Sequence, residues 1–189
     1  MIEAVKLRKS YGPLLAVDKV SFQARPGEVL GFLGPNGAGK SSTMRMLSGF
    51  VLPSAGTANI CGHDILQAPL AAKKCLGYLP EGAPLYGEMS TMEFLRFIAR
   101  VRGIPQDTQT GRIHVTLERL GLKEVALQSI ETLSKGFKRR VGLAAAILHE
   151  PSVLILDEPT DGLDPNQKYE VRNLIRELAK ERTILLSTH

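Results

Sequence analysis

Hydrophobic and polar positions change period along this chain, and the changes divide it. From Ile2 to Leu7 and from Val17 to Ala24 they alternate, which predicts two strands of a small antiparallel sheet. Glu28 to Leu33 is a short apolar run between Pro26-Gly27 and Gly34, and it predicts a buried parallel strand. Ser41 to Leu47 then reads as a helix opening. Thr57 to Cys61, entered by the turn Pro53-Ser54-Ala55-Gly56, predicts another strand. From Pro84 to about His149 the period becomes helical. Ser90-Thr91-Met92-Glu93 is a capping box, after which Phe94, Phe97, Ile98 and Val101 share one face until Gly103. Ile113, Leu117 and Leu120 mark a second helix ending at Gly121, and Phe137 to Leu148 a third. Val153 to Leu156 is uninterrupted and mostly branched, the pattern of a buried central strand. Asp164 is a helix N-cap, with Pro165 at the first position and Gln167 completing a capping box. Val171, Leu174, Ile175 and Leu178 line that helix, and Thr183 to Ser187 is the last strand. The expectation is an α/β fold with a small antiparallel β subdomain and a helical subdomain, 84–149, inserted into a core of 1–83 and 150–189.

Two junctions in this pattern carry chemistry. Gly34-Pro35-Asn36-Gly37-Ala38-Gly39-Lys40-Ser41 joins a predicted strand to a predicted helix and is a complete phosphate-binding loop, followed by Ser42. Its glycines let backbone N–H groups turn toward phosphates, and the helix N-terminus adds partial positive charge. Lys40 is expected on the β- and γ-phosphates and the Ser41 hydroxyl on Mg²⁺. The fold expected is therefore a P-loop NTPase core. Asp157-Glu158-Pro159 closes the apolar run of Val153 to Leu156, at the strand end where open α/β sheets bind ligands. Asp157 is expected on Mg²⁺, directly or through water, and Glu158 as the group that orients and deprotonates the attacking water.

Composition narrows the setting. The chain has 189 residues, 43% hydrophobic and 23% charged, enough for one α/β domain with a core. No apolar stretch approaches the roughly 18–20 residues that cross a bilayer, so a transport role would need another polypeptide for the membrane path. No signal peptide is expected, because Met1-Ile2-Glu3-Ala4 leads straight into a strand. The net charge of +5 is dispersed apart from Lys138-Arg139-Arg140, and no nucleic-acid partner is expected from it. Cys61 and Cys75 have no metal-site spacing and are expected to be reduced and structural.

In this order the motifs resemble the ABC ATPases, the nucleotide-binding domains of ABC transporters, from about Ile2 to His189. Leu133-Ser134-Lys135-Gly136-Phe137 looks like the family's signature, usually Leu-Ser-Gly-Gly-Gln. Ser134 and Gly136 match it, while Lys135 and Phe137 depart. The resemblance implies that this segment binds the γ-phosphate held by another protomer. It also implies that Tyr11 stacks on adenine and that Asp161-Gly162-Leu163-Asp164 crosses the dimer interface. His189 is implied to contact the γ-phosphate. Gly77-Tyr78-Leu79-Pro80-Glu81 resembles the lid loop, which most often ends in Gln; Glu81 can still approach Mg²⁺ or the water and adds negative charge. Leu79-Pro80-Glu81 followed by Pro84-Leu85-Tyr86 looks like the ATPases of type 2 ABC exporters, including gliding-motility-like and drug-resistance-like subunits. The family continues past the point matching His189, so the resemblance implies C-terminal truncation. The implied protein binds ATP and Mg²⁺ and lies peripherally on the cytoplasmic face of the plasma membrane. It would pair head-to-tail with a second copy or a paralogous ATPase and couple to a transmembrane permease subunit near Glu81. Two rival readings are a soluble ABC ATPase acting on ribosomes or nucleic acid, and a non-catalytic nucleotide sensor. The single cassette, and a Glu81-to-Ser134 segment too short for a coiled coil, disfavour the first; intact Lys40, Asp157, Glu158 and His189 disfavour the second.

Overall fold

Alternation at the N-terminus becomes a four-stranded antiparallel sheet in the computed structural model, which describes residues 1–188. Its strands are β1 (Ile2–Tyr11), β2 (Leu14–Ala24), β4 (Ala55–Ile60) and β5 (His63–Asp64), in the order β2-β1-β4-β5. A second, parallel sheet holds β3 (Val29–Leu33), β6 (Leu76–Leu79), β7 (Val153–Leu156) and β8 (Thr183–Thr188), in the order β3-β8-β7-β6. Among the described residues the helices are α1 (Lys40–Leu47), α2 (Pro69–Lys74), α3 (Thr91–Val101), α4 (Gln106–Arg119), α5 (Lys135–Ile147) and α6 (Pro165–Ala179).

The parallel sheet organises the molecule because β7 is buried on both faces. Val153 and Ile155 pack with the antiparallel sheet and α1. Leu154 and Leu156 pack with the helices α3 to α6. All four side chains are fully buried, which at about 1.5–3 kcal/mol each makes this short strand a strong anchor. The helices between β6 and β7 thus share their core with one face of the sheet. Registers pair Leu79 with Leu156, Leu156 with Leu186 and Leu33 with Thr188, so the carboxyl ends of all four strands lie along one edge.

Several expectations need correction. β3 is not buried: it pairs only with β8, and Val29 and Leu33 are 46% and 76% exposed. Only Leu30 and Phe32 pack inward, so the apolar run is a one-faced edge strand. On α3 the buried face is Thr91, Phe94, Leu95 and Ala99, and Val101 is exposed. The Ser90–Glu93 capping box forms in full. The one at Asp164 forms in half. The Asp164 carboxylate accepts the Gln167 N–H at 2.9 Å, but the Gln167 amide lies against Gly136. Three elements are not legible in the hydrophobic pattern: β5, only two polar residues long, α2, a short helix with Pro69 at its start, and β6, whose Gly77 breaks the apolar run. Cys61 and Cys75 are both free, and burial followed by the neighbouring Cys61 pushes the Cys75 thiol up.

Candidate functional site

The phosphate loop leaves the edge strand β3 and enters α1 through Gly39, which caps the helix in the left-handed region at φ +85. A Cβ there would meet the Ala16 carbonyl oxygen at 2.4 Å, so both conformation and space demand glycine. No side chain caps α1, which leaves its first-turn N–H groups for an anion. The Lys40 ammonium donates to the carbonyls of Gly34 and Pro35, folding over the loop. The cleft beside it is about 550 Å³ and is lined by loop residues 35–42, Tyr11, Glu81, Glu158 and Asp161. Tyr11 is 43% exposed at the tip of the β1–β2 hairpin, with the Lys9 ammonium over its ring at 5.1 Å.

Asp157 lies behind Ser41, one of the residues that line the cleft. It is 1% exposed; its Oδ1 accepts from Ser187 Oγ at 2.7 Å and from Ser41 Oγ at 3.3 Å. Its Oδ2 is buried with no hydrogen-bond partner among the described residues. A buried carboxylate oxygen left open beside a hydroxyl, at the foot of a phosphate loop, fits Mg²⁺ shared with phosphates. Among the described residues no group of three His, Cys, Asp or Glu that could hold a metal gathers, here or elsewhere.

Glu158 is 7% exposed and takes a left-handed backbone, φ +48, unusual for a non-glycine residue. Its N–H donates to Ser187 Oγ at 2.9 Å, and its carbonyl accepts from the N–H of Asp161 and from Arg139. Ser187 therefore holds both acidic residues at once, a role with no local sequence signal. Arg139 is the second residue missed. It hides in a basic run that reads as a solvated helix face, yet its guanidinium reaches the carbonyls of Pro80, Asp157, Glu158 and Pro159. Burial lowers its pKa, and the carboxylates Asp157, Asp161, Glu81 and Glu158 oppose that shift. Burial, and then Asp157, push the nearby Tyr78 hydroxyl up to about 12.

The signature segment does not join this cleft. Leu133 is buried, and Ser134 caps α5 by accepting the Phe137 N–H at 3.3 Å, which keeps its own O–H free to donate. Gly136 is buried against Gln167, and the Lys135 side chain fills the place a Gly162 Cβ would take. Phe137 lies under the Arg140 guanidinium at 5.6 Å. Lys135, Lys138 and Arg139 line a separate hollow of about 380 Å³, and Glu81 and Asp161 border both spaces. Asp164 is occupied as the α6 cap. His189 lies outside the described residues.

Comparison with known proteins identifies the family and the fold. The family model for the ABC transporter matches residues 17–161. The chain is 38% identical, over its whole length, to the probable multidrug ABC transporter ATP-binding protein YbhF of Escherichia coli, and covers 33% of it. It is 41% identical to the Nod factor export ATP-binding protein I of Paraburkholderia xenovorans and to the uncharacterized ABC transporter ATP-binding protein YxlF of Bacillus subtilis. It covers 62% of each of those two. The chain thus spans between about a third and three fifths of these curated relatives. Among solved structures, an ATP-binding subunit of an ABC transporter superposes with a TM-score of 0.88 at 32% identity, covering all of this chain and 79% of that one. CbiO1 from Clostridium perfringens, part of the ABC transporter complex cbiONQ, superposes at 0.86 and 29%, covering all of this chain and 78% of that one. The family match takes in the phosphate loop, the signature and the acidic strand end in one stretch, and the chain belongs to the ABC transporter family of ATP-binding ATPases.

Proposed function

We propose that the protein is the ATP-hydrolysing subunit of an ABC exporter, working as a pair of cassettes beneath a separate transmembrane subunit. The observation that carries the reading is the meeting of Ser41, on the phosphate loop, with the buried Asp157. The α1 N-terminus and Lys40 bind the β- and γ-phosphates, and Tyr11 stacks on adenine. Ser41 and Asp157, with Glu81 at the rim, are the oxygens that would hold Mg²⁺, which when bound neutralises charge on the phosphate oxygens. Glu158 orients the attacking water and takes its proton, and His189 contacts the γ-phosphate.

Ser134 and Gly136 do not line the phosphate cleft of their own chain, which suits a signature that closes on the nucleotide of a partner, with Asp161 and Asp164 on the loop between the protomers. The partner is a second copy or a paralogous ATPase. ATP drives closure only as far as it binds the closed pair more tightly than the open one. A groove of about 920 Å³ between β6 and α3, walled by Phe50, Leu70, Tyr78, Leu85, Ile98 and Val101, is the seat for the transmembrane subunit. Among the described residues no helix is long and apolar enough to cross a membrane. The protein then lies peripherally on the cytoplasmic face, as a core of 1–83 and 150–189 with the helical block 84–149 inserted. The relative named for Nod factor export supports the export direction. No nucleic acid is required.

Glu158→Gln should keep ATP affinity and lower turnover by roughly 10²–10⁴-fold. Lys40→Ala should weaken nucleotide binding itself. Equal turnover in Glu158→Gln and wild type would remove Glu158 from the base role. Affinity purification of the full-length protein from gently solubilised membranes tests the setting. Stoichiometric recovery of a multi-span membrane protein supports the exporter, and ribosomal or DNA-bound partners alone refute it.

A further inference from the structure

We infer that Arg139 is the positioning residue that ties α5 to the attack geometry at Glu158, an inference resting on the reading of Glu158 as general base. Arg139 lies five residues after Ser134 on the helix that Ser134 caps. Its side chain leaves that helix for the ends of two strands. One Nη donates to the Asp157 and Glu158 carbonyls, Nε to Pro159 at 3.2 Å, and the other Nη to Pro80 at 3.0 Å. Four carbonyls from two separate loops converge on one planar fork, a geometry that a lysine cannot reproduce.

The backbone of Glu158 gives this convergence its consequence. A non-glycine residue at φ +48 costs about 1–3 kcal/mol and persists only where its surroundings over-determine it. Here Ser187 fixes the N–H of Glu158, and Arg139 and the Asp161 N–H together fix its carbonyl. Without Arg139 that carbonyl is left to the Asp161 N–H alone, which loosens the peptide and lets the carboxylate turn with it. The same guanidinium grips Pro80, the residue before Glu81, so it sets the two acidic residues of the cleft relative to each other. Arg139 does not line the nucleotide cleft. It acts through Glu158, so its loss falls on the chemical step and spares nucleotide binding. Any shift of α5, which begins at the signature residue Lys135, is carried directly to Glu158.

The test compares wild type, Arg139→Gln, Arg139→Lys, Glu158→Gln and the double variant Arg139→Gln/Glu158→Gln in the full-length protein. Steady-state ATPase, titration with a fluorescent ATP analogue and melting temperature are measured for each. Arg139→Gln should lower kcat on the order of tenfold to a hundredfold, with analogue affinity within about threefold of wild type. Arg139→Lys keeps the charge without the fork and should recover only a small part. In the double variant, Arg139→Gln should cost less than about a further twofold, because the group it positions is already gone. A purely structural arginine would lower kcat and affinity together and add its full cost to Glu158→Gln; either result overturns the inference. So does wild-type turnover in Arg139→Gln, or in Arg139→Lys should the glutamine variant not fold. Wild-type turnover in Glu158→Gln would instead remove the general-base reading. Lost turnover there with unchanged turnover in Arg139→Gln removes only the role given to Arg139.

Discussion

β3 and β7 run parallel in one sheet, and both deliver chemistry from their carboxyl ends, yet the two ends are held by different means. After β3 the chain secures itself. Lys40 reaches carbonyls five and six residues back, Ala38 donates to Pro35 at 3.3 Å, and Gly37 and Gly39 supply the left-handed turns. After β7 almost nothing is local. Ser41 comes from 116 residues away, Ser187 from 29 or 30, and Arg139 from 18 to 20. Here a glutamate is held at positive φ, and the strand beneath is sealed on both faces. A loop closed by its own backbone is written in contiguous residues, whereas a strand end closed by distant partners is written only as residue types with no visible pairing.

The comparison can be broken most forcefully on the local side. Gly39→Ala puts a methyl against the Ala16 carbonyl at a positive φ. It should cost about 2–4 kcal/mol in urea unfolding and abolish high-affinity nucleotide binding. Gly37→Ala, at similar φ but with open space around it, should cost only about 1 kcal/mol. Equal losses would show that conformation and not close approach governs the loop.

On the distant side, Ser187→Ala strands the buried Glu158 N–H and removes a donor from Asp157. A loss of about 2 kcal/mol is expected, with turnover falling more than nucleotide affinity. Asp164→Ala removes only the α6 cap and should cost about 1 kcal/mol in thermal unfolding with little change in affinity.

The smallest effect is on pH dependence. His149 donates from Nε2 to the Leu76 carbonyl at 3.0 Å, and burial, then Arg102, lower its pKa from 6.5 to about 4. The unfolded chain takes up a proton near 6.5 that the folded chain resists until about 4. This contribution is therefore complete above 6.5 and lost as pH falls toward 4. With partial solvent access, about 1 kcal/mol should disappear across that window, and His149→Gln should flatten the decline in melting temperature.

Elements with a strong period or a cap were legible in the chain: the Ser90 box, the Ile113–Leu120 face and the β7 run all stand where the pattern put them. β6 was not, because Gly77 interrupts its apolar run. The structure explains that glycine, since a Cβ would strike the Ala146 carbonyl oxygen at 2.1 Å. The burial of β3 was overestimated because an apolar pentapeptide reads alike at the centre or the edge of a sheet.

The sequence by itself determined the phosphate loop, the acidic pair and the order of motifs, because each is a contiguous run whose residue types already carry the chemistry. Only the tertiary structure decided that Ser187 and Arg139 hold Glu158. It alone decided that Gln167 turns to Gly136 instead of completing its capping box, and that the signature of a chain stands apart from that chain's own phosphate cleft. Such pairings depend on which strand ends and helix starts meet in space. A hydroxyl or a guanidinium carries no mark in the chain of the distant carbonyl or N–H it will satisfy.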